Sequence, residues 1–124
     1  MLAIDKFSRK PIYEQIMEGV EREILTGLLC EQEKLPSVRE LSVLLDTNPN
    51  TIQKAFTELD RAGLIISHPG RGCFVAQGAI AVIRERLRSR LAEIEATIRA
   101  LAEAGIEKAE IMQAVDRAYE RTNF

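Results

Sequence analysis

The sequence has 124 residues, 46% of them apolar and 29% charged, which fits one small core plus an extra element in a soluble globular protein. No apolar run approaches the about 20 residues of a membrane span, and the N-terminal stretch lacks the apolar segment of a signal peptide, so a cytoplasmic protein with no membrane association is expected. Cys30, Cys73 and His68 cannot supply the about four clustered ligands of a zinc site, so no metal or cofactor is expected and both cysteines are read as small buried residues; the net charge of −2 gives no sign of nucleic-acid binding by itself.

Pro11 opens the first predicted helix, where its missing N–H costs nothing. Ile12, Ile16, Val20, Ile24 and Leu28 recur every four residues along one face, and Gly27 is the stop. A polar break, Cys30-Glu31-Gln32-Glu33, leads to Leu35-Pro36. Ser37-Val38-Arg39-Glu40 then fits a capping box, the serine hydroxyl taking an orphan N–H and Glu40 reaching back. Val38, Leu41, Leu44 and Leu45 give this second helix its buried stripe, and it ends near Asp46. The third helix has Asn48 as cap, Pro49 in its first position, and Ile52, Ala55, Phe56 and Leu59 on its apolar face; Gly63 ends it. Two short helices across so short a turn match the helix-turn-helix unit. Leu64–Ser67 and Cys73–Ala76 read as short strands about the turn His68-Pro69-Gly70-Arg71-Gly72, a hairpin in the position of a wing.

From Ala79 to Ala104 there is no proline or glycine. Ile80, Leu87, Ile94 and Leu101 repeat at seven residues, Leu91 and Ile98 fill alternate positions, and Arg84 is the odd member of this heptad seam. After Gly105, the residues Ile111, Ala114, Val115, Ala118 and Tyr119 mark one face of a last helix. The expected fold is mainly α: a winged helix-turn-helix, three helices plus a small β-hairpin, over residues 1–78, then a helical hairpin over 79–124. A seam of about six turns is long for so small a domain to cover alone. Ile80, Leu87, Leu91, Ile94, Ile98, Leu101, Ile111, Val115 and Tyr119 are therefore the candidate homodimer interface, with packing on the first helix of the same chain as the alternative.

Charge is unevenly placed along the chain. Residues 1–33 carry a balance of −3, residues 34–78 one of +1, and residues 79–124 are neutral. The acid falls mainly on the first helix and leaves the middle segment free to face phosphates. An α-helix fits the major groove with its N-terminal side chains at the base edges. On the third helix Asn50, Thr51, Gln53, Lys54 and Thr57 point away from the predicted core. Asn50, Thr51 and Gln53 can donate and accept hydrogen bonds, while Lys54 suits a phosphate or a guanine. An ordinary solvated face has the same composition; the place on the second helix of a helix-turn-helix favours DNA contact. Asn48 joins this set at the helix start. Arg39, in the first turn of the second helix, sits by a capped N-terminus that also favours phosphate, and Ser37 is either a cap alone or a phosphate contact as well. Gly70-Arg71-Gly72 holds a guanidinium out at the hairpin tip, where it can enter a minor groove or clamp phosphate, although the glycines also serve plain turn chemistry. His68 is read as a solvated turn residue, with a phosphate contact as the alternative.

These stretches resemble the GntR family of bacterial transcriptional regulators over about residues 4–77. Leu35-Pro36-Ser37-Val38-Arg39-Glu40-Leu41-Ser42 is similar to the family's second-helix signature. Asn48-Pro49-Asn50-Thr51-Ile52-Gln53-Lys54-Ala55-Phe56 is similar to its recognition helix, particularly in the YtrA-like subgroup. Gly63-Leu64-Ile65 followed by Gly70-Arg71-Gly72-Cys73-Phe74-Val75 resembles the wing, and Pro11-Ile12-Tyr13-Glu14-Gln15-Ile16 the opening. The resemblance implies DNA contact at Arg39, Asn50, Thr51 and the Gly70–Gly72 tip. It also implies dimerisation through a short helical tail, and often the control of transporter operons. Two positions depart from the family pattern: its Pro-Gly is Glu31-Gln32 here, and its Gly-Val between the helices is Asp46-Thr47. The 46 residues after Gly78 are too few for the family's larger effector domains. The expectation is a sequence-specific transcriptional regulator, a repressor, that binds a near-palindromic duplex operator as a homodimer; no effector is assigned. A protein-interaction adaptor that keeps the winged-helix shape is the rival reading, supported by the acidic first helix. With a single histidine and no nucleophile motif, an enzyme is not expected.

Overall fold

The computed structural model describes residues 2–121. In chain order the elements are α1 (Ile12–Thr26), α2 (Val38–Leu45), α3 (Pro49–Arg61), β1 (Ile65–His68), β2 (Gly72–Val75), α4 (Ala79–Arg88), α5 (Leu91–Glu103) and α6 (Lys108–Glu120). The chain divides between Glu85 and Arg86 into two compact units. Among the described residues no helix is long and apolar enough to cross a membrane.

The first unit is a winged helix-turn-helix. Ile16, Val20 and Ile24 of α1 lie one turn apart and are fully buried, as are Ile52, Ala55 and Leu59 of α3, with Phe56 almost so. Leu35, Leu41, Leu64, Ile65 and Val75 complete this core, and each large side chain removed from water contributes about 1.5–3 kcal/mol. The ends of the short helices follow from their caps. Ser37 Oγ accepts the Glu40 N–H at 3.0 Å, the serine half of the predicted box. Asn48 Oδ1 accepts the Asn50 N–H at 2.8 Å, and Pro49 follows it in the first turn. Beyond α3, Gly63 takes φ +82°, and Leu64 N–H bonds back to the Leu59 carbonyl, which turns the chain into β1.

Leu44 of α2 and Leu28 after α1, both expected in the core, are 72% and 65% exposed. An eight-residue helix has about two turns, so only Leu41 reaches the centre while Val38 and Leu45 pack at its edge. Leu28 lies beyond the left-handed Gly27 that ends α1, where the helical period no longer applies. The cysteines also differ from expectation: Cys30 is exposed, because it stands in the turn after α1, and Cys73 is half-buried.

β1 and β2 pair antiparallel, Ile65 opposite Val75 and His68 opposite Gly72. The polar break before α2 is not a free loop. Lys34 forms a bridge with Phe74. Gln32 N–H donates to the Val75 carbonyl at 2.8 Å, Val75 N–H to the Glu33 carbonyl at 2.9 Å, and Leu35 N–H to the Cys73 carbonyl at 2.8 Å. The wing is thus edged by a third extended segment. Gln32 and Asp46, the residues at the two departures from the family pattern, both have positive φ, +70° and +47°. The backbone keeps a left-handed conformation there without glycine.

The expected unbroken helix from Ala79 is interrupted at Ser89 and Arg90. Ser89 Oγ bonds the Arg86 carbonyl at 2.6 Å, a side chain competing for helical backbone. Ala79 and Ile83 are buried in the first unit and Ile80 packs against its core, so Ile80 belongs to the winged unit and not to an exposed seam. In the second unit, no residue of α5 or α6 is buried.

Candidate nucleic-acid interface

α3 has two faces set by its period. Ile52, Ala55, Phe56 and Leu59 seal one side, and Asn50, Gln53, Lys54 and Thr57, spaced three and four apart, share the other. Asn50 and Gln53 are exposed and Thr51 is half-buried. Gln53 Nε2 rests 3.4 Å from Thr57 Oγ1, a weak tether that leaves its carbonyl free. The caps retain chemistry for a ligand. Ser37 spends a lone pair on Glu40 N–H but keeps its hydroxyl proton, and Asn48 spends its carbonyl but keeps its NH₂ group.

Lys54 behaves differently from its neighbours. Its ammonium sits 4.1 Å from the centre of the Tyr13 ring, a cation–π contact with α1. The sequence places Tyr13 within the opening motif and gives it no role; a ring contact between two helices leaves no local signal. Glu14 beside it holds the Tyr13 hydroxyl above its ordinary range, by charge first, then through burial, a hydrogen bond from the phenol and the more distant Glu58.

Arg39 is exposed in the first turn of α2, and no hydrogen bond or ion pair holds its guanidinium among the described residues. At the wing tip, Arg71 N–H closes the turn onto the His68 carbonyl at 2.9 Å and its side chain stands in solvent. Gly70 has φ +76° and Gly72 φ +110°, both costly for any side chain. Gly72 has a second reason to be small: a Cβ there would lie 2.8 Å from Lys34 Cε. His68 packs edge-on against Phe74, with ring centres 5.3 Å apart, and is exposed as expected for a turn residue.

The first unit therefore presents Ser37, Arg39, Asn48, Asn50, Thr51, Gln53, Lys54 and Gly70–Gly72 as exposed or half-exposed polar and small groups on short elements, with Lys54 resting on Tyr13. In the second unit and at its edge, Leu87, Leu91, Ile94, Ile98, Leu101, Val115 and Tyr119 are exposed, from 37% at Ile98 to 71% at Tyr119, and Ile111 is half-buried.

Residues 12–75 match the profile of the bacterial regulatory proteins of the gntR family. The chain is 40% identical over 96 residues to the HTH-type transcriptional repressor YtrA of Bacillus subtilis (strain 168), covering 71% of this chain and 74% of YtrA. A GntR family transcriptional regulator from Listeria monocytogenes superposes with a TM-score of 0.74 at 34% identity, over 92% of this chain and 98% of that one. AraR(DBD) in complex with operator ORE1 superposes with a TM-score of 0.53 at 30% identity, over 61% of this chain and 93% of the AraR chain.

Proposed function

We propose, from the premise that this chain belongs to the gntR family of bacterial regulatory proteins and to its YtrA-like subgroup, that it binds a near-palindromic operator as a homodimer and represses transcription from it. The family's members regulate transcription through DNA and are not enzymes. One observation carries the reading. Asn50 and Gln53 stand on the solvent side of a helix whose opposite side is sealed into the core, with Thr51 half-exposed beside them, while Arg39 and Arg71 are exposed cations without ion pairs among the described residues. α3 then lies in a major groove with Asn50, Thr51 and Gln53 at base edges. Ser37, Arg39 and Asn48 take phosphates, and Arg71 reaches the minor groove or its rim.

The homodimer is supported by α5 and α6, which bury nothing on their own and expose a row of large apolar side chains. Two copies related by a twofold axis read two half-sites about 10 bp apart, or a multiple of that. Repression is supported by the designation of YtrA as a repressor. The site of action is the chromosome in the cytoplasm, and neither metal nor cofactor enters the scheme.

Fluorescence anisotropy with a duplex from the protein's own promoter tests this. The wild type binds specifically and more weakly as salt rises. Arg39→Ala loses about 1–3 kcal/mol of affinity. Equal binding by wild type and Arg39→Ala overturns the contact assignment, and a flat salt titration overturns the phosphate-based grip.

A further inference from the structure

The outer face of the wing holds a cation that no reading of the motifs uses. In the bridge with β2, Lys34 stands opposite Phe74, and Phe74 in turn stands opposite Ile66. Successive side chains of an extended segment alternate in direction, so Leu35 enters the core and Lys34 joins Phe74 and Ile66 on the outer face. Two rungs nearer the tip, and so on the same face, Gly72 pairs with His68. The arm of Lys34 lies across that glycine: a Cβ at Gly72 would be 2.8 Å from Lys34 Cε and 3.6 Å from Nζ. The missing side chain of Gly72 is therefore a berth that carries the Lys34 ammonium toward the tip. There Lys34, His68 and Arg71 line one concavity of about 520 Å³, floored by Ile66 and Phe74, with no carboxylate among its lining residues. Lys34 is exposed and makes no ion pair among the described residues.

We infer that Lys34 is a DNA-contacting residue of the wing, its ammonium binding a backbone phosphate beside the groove that Arg71 reaches; this rests on the DNA-binding reading above. A lysine is a compact point charge on a flexible stem, suited to a phosphate and indifferent to base sequence. The concavity is lined by exposed cations and continues the tip that Arg71 occupies, which fits a rigid polyanion laid along the surface. Gly72, read from sequence as turn chemistry, gains the further role of seating this lysine.

The test uses the full chain and a labelled promoter duplex, with binding measured by anisotropy across a potassium chloride series. Lys34→Met keeps the arm on Gly72 and removes the charge; Lys34→Arg keeps the charge. Lys34→Met is expected to weaken binding roughly tenfold, on promoter and unrelated duplexes alike. The slope of log K against log salt is expected to become shallower by about 0.9 for each phosphate that the variant leaves unneutralised. Lys34→Arg is expected to restore both, and both variants to melt at the wild-type temperature. Wild-type affinity and slope in Lys34→Met overturn the inference and leave the DNA-binding reading standing. Weaker binding with an unchanged slope, or a loss confined to the promoter sequence, also overturns it. A wild type with no salt-dependent binding to any duplex removes the DNA-binding reading itself.

Discussion

Gln32 and Asp46 both hold a left-handed backbone, and they are tolerated there for different reasons. A short carboxylate side chain suits this region, and Lys6 further secures Asp46 by donating to its carbonyl at 2.6 Å. Gln32 has no such affinity; its N–H is fixed by the Val75 carbonyl, and the ladder imposes the angle. Left-handed geometry costs an ordinary side chain about 1–2 kcal/mol, whereas glycine costs about 0.4–1 kcal/mol in the unfolded chain. Gln32→Gly is therefore expected to stabilise the protein by about 0.5–1 kcal/mol in urea unfolding, while Asp46→Gly gains nothing. Equal gains at both positions would refute the distinction. The caps at Ser37 and Asn48 are readable from sequence because each bond closes within two or three residues. The strain at Gln32 is not readable from local chemistry, since a long-range ladder creates it.

Among the elements, α3 is the most legible. Four apolar residues at helical spacing all enter the core, and the polar residues between them face outward. α2 is legible in existence and in its cap but not in its facing, because five apolar residues on two turns exceed what one stripe can bury. Phe56→Ala, deep in the core, is expected to cost about 3–5 kcal/mol, enough to leave much of the chain unfolded. Leu44→Ser is expected to stay within about 0.5 kcal/mol of wild type. Thermal and urea melts of the pair decide this, and a large loss at Leu44 would put that side chain back in the core. The third segment of the wing is invisible in the sequence because a single bridge gives too short an alternation to read. Lys34 therefore registers there only as a charge. Lys54, which the helical period sets among the outward residues, makes a contact that the period does not show, for a related reason: its partner Tyr13 lies on another helix.

For the molecule as a whole, the sequence suggests a boundary at Gly78, yet the compact first unit runs on to Glu85. Ile80 obeys the seam's spacing and also packs against the winged core, and periodicity does not say which partner a stripe meets. The homodimer assignment now rests on the remaining residues, above all Ile94 and Ile98 in the middle of α5. Ile94→Asp with Ile98→Asp is expected to yield monomers in sedimentation velocity. Loss of the second tethered half-site should lower operator affinity by about 10²–10⁴. A persistent dimer in this variant would assign the interface elsewhere.

The bonds that run from residues 32–35 to β2 end two residues before the Ser37 cap, so the hairpin and the entry to α2 share one ladder. In the proposed complex such a coupling acts as a caliper whose jaws are set before any duplex arrives. Little ordering remains to be done at the moment of contact, and little slack exists to absorb a mismatch in spacing. One base pair inserted within a half-site moves the next groove by about 3.4 Å, farther than hydrogen-bonded jaws can open. Operators for this protein should thus tolerate altered letters more readily than altered length.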